Sequence, residues 1–221
     1  MVKLKRIRWA WMLLVAMVFC GISATSSAGQ LSEMASAQEL IKQLKSIKSV
    51  HSTFRQWVQD AKQASLQDVT GSMWVQKPGQ FRWDTNNPYP QSIIANGEFI
   101  WIYDEDLEQA TQQKLDKHVG NTPALLLSGD PSKLSDSFSI SAYLYDETKE
   151  WRFDLKPKGE DSLFELLRVN FKEGKLLDMY LEDALGQTTK IEFSAVELNN
   201  AINQDIFTFN PPANVDVIKD F

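Results

Sequence analysis

The sequence predicts a mainly β protein in which a large antiparallel sheet of ten to eleven strands curls into a barrel or half-barrel and carries a few helices over one face. Three features predict it. Apolar residues recur with a period of two from Val50 onward, turn residues divide these segments at regular intervals, and helical periodicity is confined to one stretch near the start and one interruption midway.

The first 28 residues read as an export signal. Lys3, Lys5, Arg6 and Arg8 precede an almost purely apolar run from Trp9 to Ile22, and Ser26 and Ala28 supply small residues at the minus-three and minus-one places of a signal-peptidase cut. Cleavage is expected to leave residues 29–221 as a single domain beginning near Gly29. Cys20 is preceded by Phe19, where a lipid-carrying cysteine needs a small residue, so it reads as part of the discarded signal. An uncleaved anchor is the other reading, but about fourteen apolar residues are short for a bilayer.

Loss of those four cations takes the net charge from −6 to −10. Nucleic acid and anionic headgroups are poor partners for such a chain. Its single cysteine lies in the signal, so a disulfide framework or thiolate chemistry is not expected after export.

Ser36 followed by Glu39 reads as a capping box, and Leu40, Leu44, Ile47 and Val50 then recur at helical spacing, predicting a helix of about twelve residues. Strands follow over 71–76, 80–84, 92–95 and 98–103, divided by Pro78-Gly79 and by Asn96-Gly97, a pair that tolerates positive φ at both central positions. Later segments are 137–145, 150–155, 164–171, 176–182, 188–196 and 206–209, divided by turns such as Pro157-Lys158-Gly159 and Glu173-Gly174. Between these groups, Thr122-Pro123 before a leucine run, and then Asp130-Pro131, pair a cap residue with proline at the first helical position, predicting two short inserted helices.

Several strands are apolar on both sides. Trp101 and Tyr103 alternate with Ile100 and Ile102, and Phe81 shares a face with Trp83, as Trp151 does with Phe153 and Ile191 with Phe193. Such strands are buried on both faces or line an apolar space. Two readings stand: an ordinary packed core, or a roomy pocket beneath helices too short to cover so much aromatic surface. Chemistry is thin by comparison. His51 and His118 lie far apart, no serine sits in a GxSxG elbow, and Asp104-Glu105-Asp106 are too close in sequence to converge on one ion. Neither catalysis, a metal nor a cofactor is expected.

Order and spacing along the chain resemble one family. The matching pieces are Leu40-x-x-x-Leu44-x-x-Ile47 running to Phe54-x-Gln56, then Gly71-x-x-Trp74-Val75-x-Lys77-Pro78-x-x-Phe81-x-Trp83 and Asn96-Gly97-x-x-x-Trp101-x-Tyr103-Asp104. Leu107-Glu108-Gln109-Ala110-Thr111, Gly120-Asn121-Thr122-Pro123 and Phe207-Thr208-Phe209-x-Pro211-Pro212 complete the pattern. Together they resemble the LolA family of periplasmic outer-membrane lipoprotein carriers.

The resemblance implies a curved, unclosed antiparallel β-barrel with an α-helical lid over a hydrophobic cavity for lipoprotein acyl chains. It also implies an inner-membrane ATP-driven transporter that loads the carrier and an outer-membrane receptor of the same fold that unloads it. The lining is then expected from Phe81, Trp83, Trp74, Trp101 and Tyr103, with Phe153, Val169, Met179 and Phe193 from the later strands. The lid and gate are expected from Leu40, Leu44, Ile47, Lys77, Leu125 and Leu126. The family commonly has arginine before the proline of the second hairpin, bonding lid carbonyls; this chain has Lys77, whose ammonium lacks the planar fork. Competing readings are a lipid-binding sensor module, the lipid-anchored receptor itself, and a lipid or glycan hydrolase. A monomer is expected, because a shuttle presents its opening to two different partners.

Overall fold

The computed structural model describes residues 29–86, 88–115, 126–159, 162 and 164–220. The expected helix at Thr122-Pro123, together with Leu125 and His118, lies outside them. Helix α1 spans Glu33–Ser46, with Glu33 in its first turn and Lys45 in its last, each suited to the end of the helix dipole it occupies. Its cap is Ser32, whose Oγ accepts the Ala35 amide at 3.4 Å, so the helix starts four residues before the expected Ser36. Ser36 is buried and its Oγ accepts the Ala142 amide at 2.9 Å, a tertiary bond that a local capping motif does not anticipate.

The strands are β1 (Gly29–Gln30), β2 (Ser49–Gln59), β3 (Ser65–Gln76), β4 (Gln80–Thr85), β5 (Gln91–Asn96), β6 (Phe99–Asp104) and β7 (Gln109–Lys114). After a 3-10 turn at Pro131–Lys133 and the one-turn helix α2 (Leu134–Ser137) come β8 (Phe138–Tyr145), β9 (Glu150–Pro157), β10 (Phe164–Lys172), β11 (Lys175–Asp183), β12 (Thr188–Leu198) and β13 (Asp216–Asp220). Asp130 starts the inserted turn as expected, its Oδ1 accepting the Ser132 amide at 2.9 Å.

Among the described residues thirteen strands form one sheet in the order β1-β8-β9-β10-β11-β12-β2-β3-β4-β5-β6-β7-β13. The order is linear, so the curl does not close, and α1 packs on β8 near one edge. Every pairing is antiparallel except that of β13 with β7. The count exceeds the expected ten to eleven because β1, β7 and β13 have no apolar alternation to announce them. β7 (Gln-Ala-Thr-Gln-Gln-Lys) is held by ladders on both sides instead.

Two local expectations are corrected. The 206–209 segment is not a strand: Gln204–Phe207 forms a 3-10 turn capped by the Asn203 side chain, and the donorless Pro211-Pro212 follows. The β5–β6 hairpin turns one residue later than Asn96-Gly97, because Asn96 ends β5 and its Oδ1 accepts the amides of Glu98 and Phe99. Positive φ (98°) is then needed only at Gly97.

Register fixes the two faces. Val75 pairs with Phe81, Met73 with Trp83, Phe54 with Phe193, Val169 with Met179 and Phe153 with Val169, so all of these share the concave side. The convex side over β2, β3 and β9–β12 is largely ion-paired. Arg55 meets Asp68, Lys190 meets Glu192, and Arg152 and Arg168 both bond Asp154.

Candidate functional site: an apolar concave face under a helical lid

Gly71 leaves room on the concave face where Phe54 crosses β3. A Cβ there would overlap the Asp84 carbonyl oxygen and the Phe54 ring, so only glycine lets Phe54 lie flat across β3. Phe54 then stacks on Trp83 with ring centroids 3.7 Å apart, Phe81 stands 6.3 Å from Trp83, and the edge of Phe193 meets Trp83 at 6.4 Å. A second aromatic group, Trp151, Phe153 and Phe171, continues the lining on β9 and β10 at centroid spacings of 5.7 and 6.0 Å. Val169, Met179, Ile191, Leu167 and Ile140 fill between them.

The lid closes this face with side chains of the same kind. Leu40, Leu44 and Ile47, with Leu126 and Leu127 from the inserted segment, are buried in one cluster with Phe81, Trp83, Phe153, Val169, Met179 and Phe193. The apolar interior is filled by side chains of α1 and of the inserted segment. Along the outer flank of α1 an open groove of about 450 Å³ remains, lined by Met34, Ala37 and Ile41 from the helix and by Phe138, Ile140 and Lys158 opposite.

Three aromatic residues expected in the lining are on the other side of the sheet. Trp74 alternates with Met73 and Val75, pairs with Arg82, and stacks on His51 at 5.1 Å on the convex face. Trp101 and Tyr103 alternate with Ile100 and Ile102, and their rings lie 5.3 and 5.2 Å from Phe209. The C-terminal segment crosses the convex side of β4–β6, where Arg82 Nη1 donates to the Ile206 carbonyl at 3.2 Å and Phe207 and Ile94 are buried. Strand β6 is therefore apolar on both faces because both are covered.

Polar groups hold the lid at its two ends. Half-buried Lys77 donates from Nζ to the Leu44 carbonyl at 2.6 Å, at the negative end of α1. Burial pushes its ammonium below the ordinary lysine range, with Asp130 opposing that shift. In the same turn the Lys77 amide donates to the Lys48 carbonyl and the Gly79 amide to that of Ser128, at 2.9 and 3.0 Å, so one hairpin tip touches both parts of the lid.

Asn199, not anticipated from the sequence, clamps the end of α1. Its Oδ1 accepts the Lys48 amide at 2.7 Å and its Nδ2 donates to the Ser46 carbonyl at 3.1 Å, from a backbone at φ 61°. Asparagine's tolerance of that φ, just after a strand, is the signal that points to it. The N-terminal half of the helix is tied by Ser36, which also donates to the Leu31 carbonyl at 3.5 Å. Asp104 ends β6, and its Oδ1 accepts the Leu107 amide at 3.0 Å from the exposed turn that follows. Among the described residues no group of acidic, histidine or cysteine side chains is placed to hold a metal ion, and no helix is long and apolar enough to cross a membrane.

A fold of this kind, with an apolar face beneath a tied helix, accompanies a direct sequence match. The model of the family described as outer membrane lipoprotein carrier protein LolA matches residues 45–210. The chain belongs to the LolA family. Relatives named outer-membrane lipoprotein carrier protein share its length as well as its sequence. The one from Pseudomonas putida (strain W619) is 42% identical over 210 residues, covering 95% of this chain and 98% of its own. Those from Pseudomonas aeruginosa (strain UCBPP-PA14) and Hahella chejuensis (strain KCTC 2396) are 42% and 38% identical, over 88% and 90% of this chain and 93% and 95% of theirs. The crystal structure of a LolA superfamily protein from Nitrosomonas europaea aligns with 79% of this chain and 98% of its own at 13% identity, with a TM-score of 0.45.

Proposed function

We propose that this LolA-family protein is a periplasmic, non-catalytic carrier that shelters lipoprotein acyl chains against its concave face. In this reading residues 1–28 are a cleaved export signal and the remainder is one carrier domain. An inner-membrane ATP-driven transporter loads it and an outer-membrane lipoprotein receptor unloads it.

The observation that carries the reading is that lid and sheet bury the same apolar surface that cargo would occupy. Phe81, Trp83, Phe153, Val169, Met179 and Phe193 meet Leu40, Leu44, Ile47 and Leu126 in one cluster. Hydrocarbon burial contributes about 0.8 kcal/mol per CH₂, so a cavity that stayed open would hold acyl chains too tightly to pass them on. Here each cargo contact replaces a lid contact of similar kind, and the net free energy of loading is the small difference between them. Flat aromatic rings and unbranched Met73 and Met179 re-pack readily around chains of different shape. Lys77, Asn199 and Ser36 set how readily the lid gives way.

Incubating the protein with membranes that carry a newly acylated lipoprotein tests this. A soluble one-to-one complex with the cargo chemically intact is expected. Cargo that stays on the membrane, or is recovered deacylated, refutes the carrier role.

A further inference from the structure

Among the described residues, two buried side-chain polar atoms have no hydrogen-bond partner: Ser52 Oγ and Asn170 Oδ1. Asn170 is already tied through its amide nitrogen to Asp178 at 2.7 Å, so its side chain is not idle. Ser52 is. It is fully buried on β2, on the concave side with Val50 and Phe54, and its partner across β3 is Met73. Toward β12 the ladder is bulged between Ser194 and Glu197, where Ala195 takes φ 52°, so Ser52 faces the two residues Ala195 and Val196, neither of which has a side-chain hydrogen-bonding group to offer it. The buried serines of the lid junction differ: Ser36 bonds Ala142 and Leu31, and Ser49 Oγ donates to the Asn200 carbonyl at 2.6 Å.

A hydroxyl left unpaired among hydrocarbon is destabilising, and alanine would remove that penalty while vacating only the volume of one oxygen atom. What Ser52 supplies is one uncharged donor on an otherwise apolar wall, beside an unbranched methionine that can swing aside. An apolar wall with one neutral donor suits an acceptor that arrives attached to hydrocarbon and brings no charge. We propose that Ser52 Oγ donates a hydrogen bond to an acyl-ester carbonyl of the bound lipid and so sets how deep the acyl chains sit. This rests on the carrier reading and adds to it a preference for O-acylated glyceryl groups over hydrocarbon of equal length. Such a carbonyl is supplied either by the diacylglyceryl group of a lipoprotein or by a free glycerolipid.

The test measures binding of a diacylglyceryl-cysteine lipopeptide and of free diacylglycerol, each as the ester and as the matched ether, to wild-type protein and to Ser52→Ala. Wild type is expected to favour the ester by about three- to tenfold, the range of one net neutral hydrogen bond. Ser52→Ala should bind both equally, while Ser52→Cys, of similar size but a weak donor, falls between. An isotope-labelled ester carbonyl should absorb at lower frequency in the wild-type complex than in the alanine variant. The empty Ser52→Ala protein should also melt at a higher temperature, because it no longer buries an unpaired hydroxyl. A preference confined to the lipopeptide assigns the carbonyl to lipoprotein cargo, and one shared by the free lipid assigns it to glycerolipids generally. Equal binding of ester and ether by wild type, or a preference that survives in Ser52→Ala, overturns the donor role and leaves the carrier reading standing. Failure of wild type to bind either form overturns both.

Discussion

Replacing Lys77 by leucine removes the bond from Nζ to the Leu44 carbonyl, and its effect can be worked from the surroundings. A hydrogen bond from a charged donor contributes about 1.5–3 kcal/mol when fully formed. Two features reduce that here. The Leu44 carbonyl also accepts the Ile47 amide at 3.2 Å, so it is not left unpaired. The Lys77 ammonium is half-buried and pushed down by that burial, a cost that leucine does not carry. About 1 kcal/mol should remain, which at about 1.4 kcal/mol per tenfold lowers the closed-to-open ratio of the lid roughly fivefold. A fluorescent hydrophobic probe that binds only the open form should then bind up to about five times more tightly. Transfer of lipoprotein to a receptor should slow, because closing no longer competes as strongly for the site. Lys77→Arg should shift both in the opposite direction if its fork reaches the Ser128 carbonyl as well as that of Leu44. Probe affinity and transfer rate that stay within twofold of wild type in Lys77→Leu would refute the clasp, leaving closure to Asn199, Ser36 and apolar packing.

The partition of aromatic residues between faces gives a second prediction: Trp83→Ala should weaken probe and cargo binding severalfold, whereas Trp74→Ala should leave both unchanged and lower only the melting temperature. Gly71→Ala should destabilise the protein by about 1–3 kcal/mol in denaturant titration, since its methyl group has no space between the Asp84 carbonyl and Phe54. Burial pushes the Asp154 carboxyl up, but Arg152 and Arg168 outweigh this and hold it below 3.8; its contribution is complete above that value and should be lost as the pH falls through its folded pKa, so Asp154→Asn should flatten the acid limb of the stability curve. Mass spectrometry of the exported protein should find a first residue near Gly29 and no lipid; a lipidated Cys20 would instead assign it the receptor role.

Much of the architecture was legible in the residues themselves. Turn residues such as Pro78-Gly79 and Glu173-Gly174 delimit hairpins whose order requires no tertiary information, and period-two spacing placed Phe81 with Trp83 and Ile191 with Phe193 on common faces. The ladder reproduces these pairs. Strands β7 and β13 were silent because main-chain pairing, not side-chain pattern, holds them.

The sequence by itself therefore determined which residues stand together: alternation along a strand is local geometry, and any strand must obey it. Which of two apolar faces turns inward is not local. Trp101 and Tyr103 look as fit for a cavity as Phe81 and Trp83, and they lie outside only because the segment around Phe207 and Phe209, a hundred residues later, covers that side of the sheet. Asn199 likewise becomes part of the lid by folding back onto Lys48, 151 residues before it. Ser52 reads as an ordinary polar strand position until register turns it toward the apolar side, between Met73 of β3 and the bulged Ala195-Val196 of β12, where its hydroxyl has no hydrogen-bond partner. Packing between distant segments decides these points, because the free energy of covering a face belongs to whatever covers it as much as to the face.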